Sequence, residues 1–250
     1  MKNITKVLMS TVLLSGLAGS VTAFAEDGGV YTSNGVVEFI PSEDPTNPVD
    51  PTNPTNPVNP IDPTDPEGPN TGTNGPLSID YASSLDFGVQ KITSKDQTYF
   101  AATQKYKVLD AAGKPTAEVK EGPNYVQVTD NRGNEAGWTL KVNQEGQFTS
   151  VSGKELTGAV ITFSNGNVVT ASDSGKPVGA ATIVLNSNGS QSNVMSASKG
   201  NGAGTYLFDW GTDAKTAAES ITLSVPGSTT KYAEKYSTNL TWTLTDVPGN

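Results

Sequence analysis

Two short strings hold the residues best suited to recognition chemistry: Gly137-Trp138-Thr139-Leu140 and Thr241-Trp242-Thr243-Leu244. In a strand, residues i and i+2 share a face. Trp138 therefore lines up with Leu140 and Val142, and Trp242 with Leu240 and Leu244. Thr139 and Thr243 point the other way. Two accounts fit this pattern. In one, both triplets are core, each Trp burying about 150–250 Å². In the other, the rings form a stacking platform for sugar rings or acyl-peptide groups on an open face. Trp210, at the end of another strand, is a weaker candidate for the same role.

Other chemistries are poorly supplied. The chain has no histidine and no cysteine. The usual general base of nucleophilic triads is missing, and so are the soft ligands of zinc and copper sites. No metal site and no cofactor is expected. Asp130-Asn131-Arg132-Gly133-Asn134-Glu135 places oxygen ligands at alternate positions, like part of a calcium loop, but Lys141 stands where that loop would close with Glu. A turn is the better reading, with Gly133 or Asn134 at positive φ and Arg132 paired with Asp130. Carboxylate pairs can hydrolyse glycans without histidine, yet no acid here lies in a catalytic pattern. The chain is read as a binding protein, not an enzyme.

The charge is unevenly placed. The net charge is −9, and residues 26–70 hold nine of the 25 acids and none of the 16 bases. The remainder is close to neutral, and Arg132 is its sole arginine. A nucleic-acid footprint needs a basic patch, so that class is set aside. At the N-terminus, Lys2 and Lys6 precede a mostly apolar run from Val7 to Leu17, and Ala23-Phe24-Ala25 forms a small-x-small site. That is the layout of a secretory signal peptide over residues 1–25. The run is shorter than the roughly 20 residues of a membrane span, and no later segment is apolar enough for one. The final TDVPGN resembles neither a hydrophobic tail nor a sorting signal. An exported chain without a covalent anchor is expected.

Residues 45–69 carry nine prolines, one at every third position. Polyproline II has three residues per turn and rises about 3.1 Å per residue. The expectation is a stiff acidic spacer within residues 42–76, spanning on the order of 75–80 Å over the proline run if extended. Before it, GVVEFIP (35–41) reads as a single strand, with Val37 and Phe39 on one face and Val36, Glu38 and Ile40 on the other. A lone strand is unstable. It must dock on the edge of its own domain or add to a partner's sheet.

From Leu77 onward the pattern has period two. YVQVT (125–129), GWTLKVN (137–143), LTGAVITF (156–163), NVVTA (167–171), ATIVLN in the 180s, GTYLFDW (204–210), SITLSV (220–225) and YSTNLTWTLTDV (236–247) read as strands. Gly-, Asn-, Asp- and Ser-rich turns separate them. Only TDAKTAAES (212–220) invites a helix, a short one. Many short strands at this spacing predict one all-β domain over 77–250, an antiparallel β-sandwich with Greek-key-like connections.

Residues 125–142 (YVQVTDNRGNEAGWTLKV) and 232–248 (YAEKYSTNLTWTLTDVP) resemble the two signature blocks of the WxL domain family. The whole layout is similar: leader, a short segment such as residues 26–41, a proline-rich spacer, then a C-terminal domain. The resemblance implies an exported protein on the surface of Gram-positive bacteria, held non-covalently to the cell wall through peptidoglycan. It also implies that the two motifs carry that binding, here Trp138, Thr139, Leu140, Trp242, Thr243 and Leu244. Other exported surface proteins, and host extracellular matrix, are the implied partners. An adhesin or scaffold that docks a partner protein is the alternative reading, and glycan hydrolysis a more remote one.

Overall fold

The period-two segments fold as strands. The computed structural model describes residues 30–249. The expected leader, residues 1–25, lies outside them. In chain order the first elements are β1 (Val49–Asp50), β2 (Asn53–Ile61), β3 (Leu77–Ala82), β4 (Gln97–Phe100), β5 (Gln104–Leu109) and β6 (Pro115–Gly122). Then come β7 (Asn124–Asp130), β8 (Trp138–Gln144), β9 (Thr149–Ser150), β10 (Val160–Ser164), β11 (Gly166–Thr170), β12 (Val178–Gly179) and β13 (Thr182–Val184). The chain continues with β14 (Ser192–Ala197), β15 (Gly204–Trp210), α1 (Ala214–Glu219), β16 (Ile221–Val225), β17 (Tyr236–Ser237) and β18 (Leu240–Thr245). The short helix starts where Asp213 accepts a hydrogen bond from the Thr216 N–H and the Thr216 side chain reaches back to the Asp213 backbone. That reciprocal capping box lets six residues hold a helix.

The strands form antiparallel sheets in the orders β13-β10-β16-β4, β11-β15-β7-β3, β12-β14-β8-β18 and β1-β2-β5-β6, with a β17-β9 pair beside them. Neighbours in each sheet are seldom neighbours in sequence, as Greek-key-like connections require. The fold is all-β and sandwich-like. Its core gathers Val126 and Val128 of β7, Trp138, Leu140 and Val142 of β8, Ile161 and Phe163 of β10, Tyr206, Phe208 and Trp210 of β15, and Ile221 and Leu223 of β16. No helix among the described residues is long and apolar enough to cross a membrane.

β7 is buried along its whole length, which alternation alone would not predict. The cause is a second layer. Tyr125 of β7 and Leu207 of β15 turn away from the main core and, with Tyr81 of β3, form a second cluster that Val49 of β1 covers. The β1-β2-β5-β6 sheet packs on this outer face.

The expected polyproline spacer is therefore corrected. Residues 49–50 and 53–61 form a hairpin, and β2 pairs with β5 through Val58↔Val108 and Pro60↔Tyr106. The compact unit runs from Phe39 to Asn250 and takes in this segment. The backbone dihedrals of polyproline and of strands overlap. Proline fits a strand where its missing N–H is not needed. Two Asp-Pro-Thr units bracket β2. Asp50 Oδ1 accepts from the Thr52 N–H at 2.8 Å and its hydroxyl at 2.7 Å, and Asp62 does the same for Thr64 at 2.7 and 2.7 Å. These Asx turns bend the chain where a rod would run straight.

The N-terminal unit, Met1–Glu38, is described only from residue 30. Residues 30–43 form no helix or strand. The expected strand at 35–41 is not formed, and its apolar side chains stand in solvent. Period-two patterning supplies the faces of a strand but no partner for its backbone.

Polar groups accompany the second cluster between the two sheets. Asp80 Oδ2 accepts from Gln127 Nε2 at 2.9 Å and from the Thr129 hydroxyl at 2.6 Å, and Tyr106 donates to Asp50 at 2.9 Å. Gln127 also ties down the incoming chain, accepting from the Val49 N–H at 2.8 Å and donating to the Asn47 carbonyl at 3.0 Å. Asp209 sits opposite Tyr125 in the β15–β7 ladder, and Asp209 Oδ1 and the Tyr125 hydroxyl are buried without a hydrogen-bond partner. Burial pushes the Asp209 carboxyl well above the usual carboxylate range, and the Asp50 charge adds to it. The folded chain thus holds this proton more tightly than the unfolded chain does. The penalty is absent below the unfolded value of about 3.9 and grows as pH rises through the folded value. Asp80 is raised in the same direction by burial, against its hydrogen bonds. Asp209→Asn is expected to stabilise the protein by roughly 1–3 kcal/mol at neutral pH and to change little near pH 4. Thermal unfolding across that range measures it.

Candidate functional site

The two motif strands, about 100 residues apart in sequence, are direct neighbours in the fold. β18 pairs with β8 in the register Trp242↔Val142, Thr243↔Lys141, Leu244↔Leu140 and Thr245↔Thr139. The motifs thus meet through their leucines.

Their apolar residues face inward. Trp138 and Leu140 are fully buried. The Trp138 Nε1–H donates to the Gly202 carbonyl at 2.9 Å, and its ring centroid lies 6.2 Å from that of Tyr206. Gly202 has φ +85°, and a Cβ there would lie 2.7 Å from Trp138 Nε1. A glycine is therefore needed to let the indole seat. Trp242 and Leu244 are half-buried against the same core. The Trp242 ring lies 5.9 Å from Trp210, which is buried and packs on Phe163 at 4.7 Å and Phe208 at 5.6 Å. No platform joins the motif rings, because Trp138 is enclosed and only Trp242 reaches the surface.

The residues between the Trp and Leu positions lie on the opposite side of the strands. Lys141 and Asn143 of β8 stand beside Thr243 and Thr241 of β18, forming one polar, half-exposed face, while Thr139, on the same side and opposite Thr245, is buried. The Thr139 hydroxyl donates to the Val247 carbonyl at 2.8 Å, Thr245 donates to the Thr139 carbonyl at 3.4 Å, and Thr241 bonds to Glu145. Gln191 Nε2 reaches Thr243 Oγ1 at 3.4 Å. Lys141 forms no ion pair among the described residues. Sequence reasoning placed Thr139 and Thr243 on this side but missed Lys141, Asn143, Thr241 and Thr245. The same alternation would have found them.

The turn before β8 is clamped. Arg132 donates to Asp130 through Nε at 2.9 Å and Nη2 at 2.8 Å, and Nη2 also donates to the Gly137 carbonyl at 2.8 Å. Gly133 has φ +71°. The expected ion pair is present, and hydrogen bonding to Asp130 raises the guanidinium further above its usual range. Arg132 thereby sets the entry angle of β8.

A groove of about 1470 Å³ opens where β3 and β18 face each other. Phe87, Tyr99, Phe148, Tyr236, Leu240 and Trp242 are among its lining residues. It was not legible in the sequence, because residues 83–92 and 231–235, which form no helix or strand, supply a large part of its walls.

Comparison with curated proteins and with solved structures returned no match. A family model does match, over residues 26–248, and its description is WxL domain surface cell wall-binding. With both Trp-x-Leu strands side by side and the match spanning nearly the whole chain, the protein belongs to the WxL domain surface cell wall-binding family.

Proposed function

We propose that the protein binds peptidoglycan non-covalently through the outward face of β8 and β18, and so holds itself, or a complex it belongs to, at the bacterial surface. The observation that carries this reading is the half-exposed polar face of Lys141, Asn143, Thr241 and Thr243 on the two motif strands. Peptidoglycan offers sugar hydroxyls, N-acetyl groups and stem-peptide carboxylates. Threonine and asparagine can hydrogen-bond to the first two, and Lys141 can pair with a carboxylate. Trp138, Leu140, Trp242 and Leu244 are positioning residues in this scheme. They pin both strands to the core so that the face stays flat. The role proposed is binding, the one that the description of the family names.

Co-sedimentation with sacculi stripped of proteins and teichoic acids tests the reading. The chain from Glu26 onward is expected to pellet saturably. Lys141→Glu with Thr243→Glu should weaken binding at least about tenfold, or about 1.4 kcal/mol, with near-UV dichroism unchanged. Failure of the unaltered chain to pellet refutes peptidoglycan as the ligand.

One observation favours a second role, as a subunit that docks another surface protein. The apolar segment around Phe39 is uncovered on its own chain. Host matrix as a ligand has no residue on this surface that argues for it.

A further inference from the structure

Each copy of this chain carries a strand without a sheet and a sheet edge without a strand. Val36, Val37, Phe39 and Ile40 are 97%, 73%, 88% and 80% exposed. A run of four large apolar side chains in solvent is unusual for a soluble surface. The segment is no appendage to the family unit, since the family match begins ahead of it, at residue 26. Residues 41–48 separate it from β1. The Asn47 and Pro48 carbonyls are held by Gln127 Nε2 and the Val58 N–H, which leaves six residues, 41–46, able to reach about 20–22 Å when extended.

The open edge is β18, the last strand of its sheet. The Glu145 N–H donates to the Asn239 carbonyl at 2.9 Å. By the alternation of an antiparallel ladder, Thr241 and Thr243 then bond to β8, while Leu240 and Trp242 turn their own N–H and C=O away from it. Those two residues line the groove, with Phe87 and Tyr236 supplying apolar wall. A strand laid there would gain main-chain bonds from β18 and bury every second side chain. GVVEFI suits it, with Val37 and Phe39 entering the groove and Glu38 left outside. Lys91 and Lys235 stand in the groove wall, and neither takes part in an ion pair among the described residues. Both are exposed, so they stand at the rim, on the side where Glu38 is left.

We propose that residues 36–40 of one copy add as a strand to β18 in the groove of a second copy. The contact is head-to-tail. Each copy gives one strand and receives one, so the assembly grows into a ring or an open chain. The wall-facing side of β8 and β18 stays free, since its threonines project from the sheet face and the added strand lies at the sheet edge.

The test uses the chain from Glu26 onward. Light scattering after size exclusion should show concentration-dependent oligomers. Phe39→Asp should return it to a monomer, with the unfolding temperature unchanged. The chain has no cysteine, so copies carrying Glu38→Cys can be mixed with copies carrying Thr241→Cys and treated with a short bismaleimide, which tolerates a residue of register. A cross-linked pair containing one copy of each is expected. A monomeric unaltered chain overturns the proposal, as do oligomers that persist in Phe39→Asp. A large fall in unfolding temperature in Phe39→Asp also overturns it, since the segment would then be docked on its own domain. Sacculus pelleting by Phe39→Asp, read in parallel, keeps this outcome separate from that of wall binding.

Discussion

Trp138→Ala is expected to cost about 3–5 kcal/mol, the range for emptying a buried aromatic site. The chain is cysteine-free, and domains of this kind have only about 5–15 kcal/mol in total. The variant should unfold in mild urea or on gentle warming, and its near-UV dichroism should collapse. The loss has two parts. The indole leaves a cavity among Leu140, Val142 and Tyr206, and the Gly202 carbonyl loses its donor at 2.9 Å. Gly202→Ala should damage the same site from the other side, because its Cβ would press on Ala197 and on the indole nitrogen at a backbone φ of +85°. Trp242→Ala should cost roughly half as much as Trp138→Ala, since that ring is only half-buried. The ranking matters for function. Lost wall binding in a Trp138 variant reports a lost fold, whereas lost binding in the Lys141/Thr243 variant reports a lost surface. Urea titration followed by tryptophan fluorescence, run beside the sacculus assay, separates the two.

This ranking also explains what could be read from the sequence. Segments whose apolar residues alternate against polar ones were legible. GTYLFDW became β15 over the residues expected, and YVQVT lies within β7. Alternation fixes which residues share a face, so the placing of Trp and Leu on one face and Thr on the other was legible in both motifs. Alternation does not reveal whether a face meets water, another sheet or a groove. That is why alternation favours a core role for Trp138 without excluding the platform, and its complete burial beside Tyr206 decides for the core. Pairing partners were equally hidden. Nothing in residues 138–144 points to residues 240–245 across about 100 positions, because ladder hydrogen bonds are made by backbone groups that every sequence carries. Strands with weak apolar content were missed for a related reason. β6, PTAEVKEG, is largely exposed and held by its ladder with β5, from Lys105↔Glu121 to Lys107↔Val119.

The proline segment failed in a different way, and Val58→Asp exposes the reason. The prolines repeat every third residue, and that period is also the period of polyproline II. A strand reads the same residues with period two. Val58 and Pro60 then fall on one face and are buried, while Asn59 between them is exposed. In a free rod, every one of these positions would be solvated, and Val58→Asp would stay within about 0.5 kcal/mol of the parent. In β2, Val58 is 5% exposed opposite Val108. Removing its side chain from burial forfeits about 1.5–3 kcal/mol. The carboxylate adds a further cost, because no basic residue is among its ladder partners and a buried charge needs a partner. A total loss of about 3 kcal/mol or more is expected. Asn56→Asp, at an exposed position of the same strand, should be nearly neutral and serves as the control for added charge. Urea unfolding distinguishes the outcomes directly. The loss also has a defined place: once β2 leaves β5, the Tyr106–Asp50 bond and the cover over Tyr81, Tyr125 and Leu207 go with it. The buried Asp209 would then reach water, and its carboxyl would return toward the ordinary range. Val58→Asp should therefore also flatten the rise in stability toward acid pH.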